Sequence, residues 1–437
     1  MKRISVIGTG YVGLVSGAGI SDFGHQVTCV DILEEKISSL NKGKIPIYEP
    51  GLKALIERNV QAGRLVFSTE VGKVIENSDV ILIAVGTPET ADDSPDLTAI
   101  FSVSDTIADH LNDYKVICTK STVPIGTGQK IIKNISSKTE QSFDYCSNPE
   151  FLREGSAVRD FLRPDRVVLG TSSNRAFEVM KDVYRPLYIN ETPILHTTIE
   201  SAEMIKYASN SFLALKISYI NEIANLCEAV NADVHTVARA MGIDGRISPK
   251  FLHAGPGFGG SCFPKDIKAL ASLAKLKKAP MRTLEGAIKA NELQKKRMID
   301  KLKFLLGGNF QGKYIAILGL TFKPETDDIR ESPAIPMTEA ILNGGGKVSA
   351  YDPEGCSKYS KLFPDITYEK SWEKAVSKSD GMVILTEWNE FRGIDSEKLK
   401  SLMNSPVVLD TRNILKMHAF QNEGFIFDNV GRLSQKS

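Results

Sequence analysis

The sequence predicts an α/β protein with two doubly wound sheets joined by one long central helix. Three observations carry that reading. Short, continuous apolar strands alternate with helix-length stretches at both ends of the chain, as strands covered on both faces of a parallel sheet do. Between them a helical periodicity persists from Ile205 to Val230. The chain, at 437 residues, also exceeds one ordinary hydrophobic core.

The elements follow in order. Ile4–Ile7 is a strand, followed by glycines and a helical stretch to about Phe23. Gln26–Val30 is a second strand, ending at Asp31. Val80–Val85 and Val116–Thr119 are two more, and Tyr145 to Gly170 extends the same domain. Thr197 with Glu200 matches a capping box at the start of the long helix. Ile205, Ala208, Phe212, Leu215, Tyr219, Ile223, Leu226 and Val230 then recur at helical spacing. Such a helix is roughly 45 Å long. Its stripe fits either a spine that doubles as a dimer surface or the core-facing side of a helix in a monomer. From Gly312 the βα theme returns, with strands at Tyr314–Leu320, Val348–Tyr351, Gly381–Thr386 and Val407–Asp410. Domain limits are expected at 1–198, 199–300 and 301–437, and the tail Leu433–Ser437 is expected to be disordered.

Composition excludes several functions. Lys and Arg number 54 against 53 Asp and Glu, which gives no electrostatic case for nucleic acid or an anionic membrane. No apolar run approaches membrane-spanning length, and the opening residues run directly into a strand, so no signal peptide is expected. The six cysteines form no Cys-x-x-Cys pair and the six histidines no His-x-x-x-His pair, so no metal is expected. Sparse cysteines fit a reducing compartment, hence a cytoplasmic location.

Gly8-Thr9-Gly10-Tyr11-Val12-Gly13 matches G-x-G-x-x-G after a strand and at the start of a helix, and the next strand ends in Asp31. That context marks a dinucleotide site. Gly8 makes the tight turn, Gly10 lets the backbone reach a pyrophosphate, and Gly13 lets helix pack on strand. The helix N-terminus stabilises the pyrophosphate charge. Asp31 suits a free ribose 2′-hydroxyl, which favours NAD over NADP, although Lys36 nearby keeps a 2′-phosphate open. Gly86-Thr87-Pro88 and Ser121-Thr122-Val123-Pro124 follow strand ends, the edge where open α/β sheets bind ligands. After the corresponding C-terminal strand, Gly319-Leu320-Thr321-Phe322-Lys323-Pro324 lacks the three-glycine fingerprint. The second sheet is therefore expected to lack the close-approach turn for a dinucleotide.

Cys262 is the most informative residue. It lies in Gly255-Pro256-Gly257-Phe258-Gly259-Gly260-Ser261-Cys262-Phe263-Pro264-Lys265-Asp266. Glycines let the backbone approach a ligand, and Pro264 favours a helix starting at or just after the cysteine. A thiol at a helix N-terminus beside a lysine is biased toward thiolate. A helix would put Lys265 and Asp266 on the thiol's side. A hydride acceptor plus a nucleophilic thiol suggests oxidation through an enzyme-bound thioester; a buried, inert cysteine at a glycine-rich turn is the alternative. Glu150 and Glu154, in Asn148-Pro149-Glu150-Phe151-Leu152-Arg153-Glu154-Gly155, follow a strand and offer carboxylates for acid–base work or water activation, unless they are solvated surface groups. Lys206 and Asn210 share one helix face and could polarise an oxyanion, unless they are simply exposed.

These residues, with Tyr48-Glu49-Pro50-Gly51-Leu52 and Lys323-Pro324 followed by Asp327 to Pro333, resemble the UDP-glucose 6-dehydrogenase family within the nucleotide-sugar dehydrogenases. The resemblance runs from the opening strand to about Arg412. It implies two Rossmann-like domains, for NAD and UDP, joined by the long helix, which usually dimerises. It also implies two successive NAD-dependent oxidations at sugar carbon 6, with Cys262 capturing the aldehyde as a thiohemiacetal that becomes a thioester. On the same basis Lys206 and Asn210 stabilise oxyanions and Asp266 manages protons and water. Glu154 with Thr122 serves thioester hydrolysis, and Glu150 lies beside them. Phe151 to Glu154, Lys206, Phe251, Leu252, His253, Ala254, Gly255, Gly259 and Lys323 are implied substrate contacts. Arg246 resembles an arginine reaching the substrate across a dimer interface. Tyr11, Val12, Thr87, Thr122, Glu154, Lys265 and Arg330 fall on the cofactor side.

The same resemblance bears on substrate: UDP-N-acetylhexosamine relatives typically carry a histidine before the cysteine, so Ser261 favours UDP-glucose, whereas GDP-mannose stays open because its relatives share Gly-Gly-Ser-Cys. Two other readings are an ordinary two-electron dehydrogenase with a structural Cys262, and a non-catalytic sensor using the thiol as a redox switch.

Overall fold

The computed structural model describes residues 1–90 and 94–432; the tail Leu433–Ser437, expected to be disordered, lies outside them. The chain forms two compact units, Met1–Ser209 and Asn210–Ser437.

In the first unit, eight strands of the described residues form one sheet: β1 (Arg3–Ile7), β2 (Gln26–Val30), β3 (Leu65–Ser68), β4 (Val80–Ile83), β5 (Lys115–Thr119), β6 (Phe143–Ser147), β7 (Val167–Gly170) and β8 (Ile194–Thr197), in the order β3-β2-β1-β4-β5-β6-β7-β8. Alternation sorts the side chains by face. Ile4, Val6, Val80 and Leu82 enter one core; Ile7, Ile81, Ile83 and Ile117 enter the other. Each such burial contributes about 2 kcal/mol, so both faces must be covered by helices. The sheet is not wholly parallel. β6 meets β7 antiparallel at Ser147 and Gly170. Apolar runs report burial on both faces but not strand direction, so this reversal carries no sequence signature.

In the second unit, six strands of the described residues, β9 (Tyr314–Leu318), β10 (Lys347–Tyr351), β11 (Thr367–Tyr368), β12 (Gly381–Ile384), β13 (Val407–Asp410) and β14 (Ile426–Asn429), are ordered β11-β10-β9-β12-β13-β14. Every pairing is parallel. Ile315, Ile317 and Val383 face one core, and Ala316, Leu318 and Met382 the other.

The helix Ile199–Val230 carries the chain from one unit into the other. The capping expected at its start needs correction. Its first turn is capped by Thr198, whose Oγ1 accepts the Ser201 N–H at 3.2 Å; Thr197 instead ends β8. Glu200 accepts from Gln129 Nε2 rather than closing a capping box. Of the two readings of its apolar stripe, the core-facing one is not met: Phe212, Tyr219, Leu226 and Val230 are 61%, 48%, 57% and 60% exposed. The buried residues include Glu203, Lys206, Asn210, Ser218 and Asn221. Buried polar groups need partners, and the partners of several of them define the site.

Candidate active site

The first unit presents the glycine turn Gly8–Gly13 after β1. Gly8 has φ +103°, and a Cβ there would stand 2.7 Å from the Ala84 carbonyl oxygen. A Cβ on Gly13 would stand 1.8 Å from the Gly8 oxygen, so the helix Tyr11–Asp22 rests directly on the turn. A Cβ on Gly10 meets no described heavy atom within 4 Å. Gly10 is the N-cap of that helix, so open space lies at a helix N-terminus, which fits a pyrophosphate. Tyr11 and Val12 pack partly against the core.

Asp31 follows β2 and bonds to this turn. Its Oδ2 accepts Thr9 N–H at 3.0 Å, Thr9 Oγ1 at 2.7 Å and Lys36 Nζ at 2.9 Å. Burial alone would raise its pKa, but the bonds from Thr9 and Lys36 outweigh burial and hold it at about 2. Oδ1 accepts only Leu33 N–H, at 3.2 Å, among the described residues. That oxygen keeps lone pairs for a ribose hydroxyl, so the acid fits a dinucleotide's sugar. Thr87 Oγ1 donates to the Thr122 carbonyl at 3.0 Å, tying together the segments after β4 and β5.

The Asn148–Gly155 segment follows β6. Glu150 and Lys206 form a buried ion pair, Nζ to Oε1 2.9 Å, with side chains 5% and 3% exposed. Glu150 also accepts Leu152 N–H, and the Lys206 ammonium lies 5.5 Å from the Phe151 ring centroid. Arg166 stacks on the same ring at 3.6 Å. Lys120 Nζ and Tyr184 Oη both donate to Asn148 Oδ1, and burial pulls the Lys120 ammonium down to about 8. Arg153 is turned to Asp160, at 2.6 Å.

Glu49, quoted in the sequence motif without a role, ties these parts together. Its Oε1 accepts Ala157 N–H at 2.7 Å, its Oε2 accepts Gly155 N–H at 2.7 Å, and Tyr11 Oη donates to it. Burial first, then the Glu49 hydrogen bond and charge and the nearby Glu154 charge, push the Tyr11 phenol above its usual range. One carboxylate thus joins the start of the dinucleotide helix to the residue after Glu154.

In the second unit Cys262 is the N-cap of the helix Phe263–Leu276, with Pro264 in its first turn. The thiol is half-buried, 3.5 Å from Ser261 Oγ. One turn on, Asp266 is buried, accepting Lys265 Nζ on Oδ1 at 2.7 Å and Asn210 Nδ2 on Oδ2 at 2.7 Å. Phe251 adopts a left-handed backbone, φ 65°, and packs on Phe263 with centroids 6.1 Å apart. Leu252, Ala254 and Gly255 are buried while His253 is exposed. A Cβ on Gly259 would stand 2.2 Å from the Glu331 oxygen, and Gly260 N–H donates to the Arg330 carbonyl at 2.8 Å. Arg330 forks onto Asp328. Lys323 Nζ lies 5.3 Å from the Phe322 ring centroid. Arg246 stands on the surface, 89% exposed, paired with its own Asp244 at 2.6 Å.

Residue-level reasoning missed Glu49, Asn221, Asn291 and Gln294. The available signal for the last two was an interruption: Ala287, Asn291, Gln294, Met298 and Leu302 form one buried stripe of the helix Arg282–Leu305, and two of them are amides. Among the described residues no group of three His, Cys, Asp or Glu side chains could hold a metal ion. No helix of these residues is long and apolar enough to cross a membrane.

Comparison with known proteins bears on what this geometry does. Residues 2–188 match the NAD binding domain of the UDP-glucose/GDP-mannose dehydrogenase family, residues 200–293 its central domain, and residues 316–417 its UDP binding domain. The chain is 49% identical over 435 residues to the UDP-glucose 6-dehydrogenase of Rhizobium meliloti (strain 1021), covering 98% of this chain and 99% of that protein. It is 46% identical to UDP-glucose 6-dehydrogenase TuaD of Bacillus subtilis (strain 168), covering 99% and 94%. A solved UDP-glucose dehydrogenase from the hyperthermophilic archaeon Pyrobaculum islandicum superposes with a TM-score of 0.92 at 34% identity, covering 99% and 98%.

Proposed function

The chain belongs to the UDP-glucose/GDP-mannose dehydrogenase family, and from that premise we propose that it converts UDP-glucose to UDP-glucuronate through a thioester on Cys262. The observation that carries the reading is the thiol at a helix N-cap with Asp266, bracketed by Asn210 and Lys265, one turn beyond it. NAD, when bound against the Gly8–Gly13 turn and Asp31, supplies the acceptor for both hydrides taken from carbon 6.

The chain's own residues do the rest. The Cys262 thiolate adds to the aldehyde carbon, forming a C–S bond and leaving charge on oxygen. Lys206 and Asn210 donate hydrogen bonds to that oxyanion, which stabilises it where water is excluded. Asp266 holds the proton inventory beside the sulfur. Once carbon 6 is at the thioester level, Glu154 with Thr122 orients a water whose oxygen attacks the carbonyl. The C–S bond breaks, the thiolate leaves, and the carboxylate departs. Glu150 fixes Lys206. Over the cycle one water is consumed, two NADH form and three protons are released. Phe251 to Gly255, Gly259, Lys323 and Arg246 hold the UDP-sugar, and Lys265 and Arg330 serve the cofactor side. The exposed stripe Phe212, Tyr219, Leu226 and Val230 supports the homodimer that belongs to the same reading, and a cytoplasmic location is part of that reading too.

The test is an NADH-yield assay with UDP-glucose, GDP-mannose and the UDP-N-acetylhexosamines, products weighed by mass spectrometry. Two NADH and one carboxylate per UDP-glucose are expected. A steady ratio of one, without acid, rejects the reading, and faster turnover of GDP-mannose moves the substrate. Cys262→Ala is expected to cut acid formation by at least ~10³-fold; full turnover by that variant removes the thioester.

A further inference from the structure

The run from Ala254 to Gly260 lies outside helix and strand yet is buried throughout. Buried peptide groups must find partners, and here amide side chains take that part. Asn291 Oδ1 accepts Phe258 N–H at 2.7 Å while its Nδ2 donates to the Phe258 carbonyl at 3.1 Å. Gly255 is held likewise, its N–H donating to Asn221 Oδ1 at 2.8 Å and its carbonyl accepting Gln294 Nε2 at 2.8 Å. At Phe258 one amide supplies donor and acceptor side by side, and at Gly255 two amides supply one each, so both clamps replace the strand neighbour the run does not have.

The same helix reaches a second segment. Lys295 Nζ donates to the Glu331 carbonyl at 3.1 Å, and Glu331 is the residue against which Gly259 is pressed. Asn291, Gln294 and Lys295 share one helix face. The glycines let the run lie on that face: at Gly257, φ +106°, a Cβ would come within 2.9 Å of Asn291 Oδ1. Held at Gly255, Phe258 and Gly260, the run has little freedom left before Cys262.

We infer that Asn291 and Gln294 are positioning residues that set where the Cys262 thiol and the substrate-facing Gly255 stand. The inference rests on the thioester reading. The two clamps act at different points. Loss at Phe258 displaces the thiol, and loss at Gly255 displaces the preceding substrate run.

The test compares Asn291→Leu, Asn291→Asp and Gln294→Met in the full chain with UDP-glucose and NAD. Asn291→Leu is expected to lower acid formation ~100-fold, the scale of a misplaced reacting group. Its NADH yield per sugar should fall from two toward one, because uncaptured aldehyde leaves. Acid quench and intact mass should show less sugar on Cys262. Asn291→Asp keeps the acceptor and loses the donor, so it falls between. Gln294→Met should raise the UDP-glucose KM more than it lowers kcat.

A merely structural role would lower melting temperature and specific activity together and leave the yield at two; that outcome overturns the inference. If Asn291→Leu does not fold, Asn291→Asp carries the test, and failure of both to fold assigns the amide to stability instead. Cys262→Ala is run beside them. Two NADH per sugar from that variant sinks the thioester reading, independently of the clamp.

Discussion

The two sheets carry the same device and use it differently. In the first, Gly8 at φ +103° donates its N–H to Val30 at 2.7 Å, and Asp31 follows β2. In the second, Gly319 at φ +91° donates to Tyr351 at 2.9 Å, and Asp352 follows β10. Each aspartate accepts the N–H and hydroxyl of a threonine one or two residues after the glycine, Thr9 or Thr321. There the likeness ends. Asp352 Oδ2 also takes Leu320 N–H at 2.7 Å and Trp388 Nε1 at 3.0 Å, and its Oδ1 takes Glu354 and Gly355 N–H at 2.9 and 2.7 Å. In the first unit a helix starts at Tyr11, directly after the turn; in the second the next helix waits until Ala334. The two aspartates thus differ not in position but in how many lone pairs the protein has already used.

That comparison can be broken by substitution. The largest effect is expected at Asp352→Asn, where an amide hydrogen faces donors on a buried side chain: stability falls by about 3 kcal/mol, read by thermal or denaturant unfolding. Asp31→Asn should cost less stability but weaken NAD ~10-fold, by titration of cofactor fluorescence. If the two substitutions exchange these effects, the distinction fails.

Asp31 also sharpens the comparison through pH. Its folded pKa, about 2, lies below the ordinary 3.8, so it contributes stability above pH 3.8 that is lost as pH falls toward 2. That share is about 2 kcal/mol, and Asp31→Asn should flatten this acid limb of the stability curve. The smallest effect is expected at Trp388→Phe, which removes one of the donors to Asp352 and should lower stability by about 1 kcal/mol.

Much of the fold was legible because its inner strands are continuous apolar runs. The missing strands were edge or short ones: Ile194–Thr197 is only partly buried, and Leu65–Ser68 alternates exposure at the outer edge of the sheet. In the long helix, periodicity grouped Phe212, Tyr219, Leu226 and Val230 on one face but could not say that the opposite face, with Lys206, Asn210 and Asn221, was the buried one. At the site, the motifs supplied Glu150, Lys206, Asn210 and Asp266 as separate residues. Their pairing as Glu150 with Lys206 and Asn210 with Asp266 depends on chain segments meeting across 56 residues in each case, which spacing does not encode. Asn291 and Gln294 belong to no short motif, because what they recognise is backbone.

The Asn210 bond to Asp266 has one more consequence. A carboxamide nitrogen bears two hydrogens, and the aspartate occupies one of them. On the proposed reading, the other is what remains for a substrate oxygen. Serine or threonine at 210 would bring a single hydroxyl proton and could satisfy the acid or the substrate, not both, so this position admits very few alphabets of side chain.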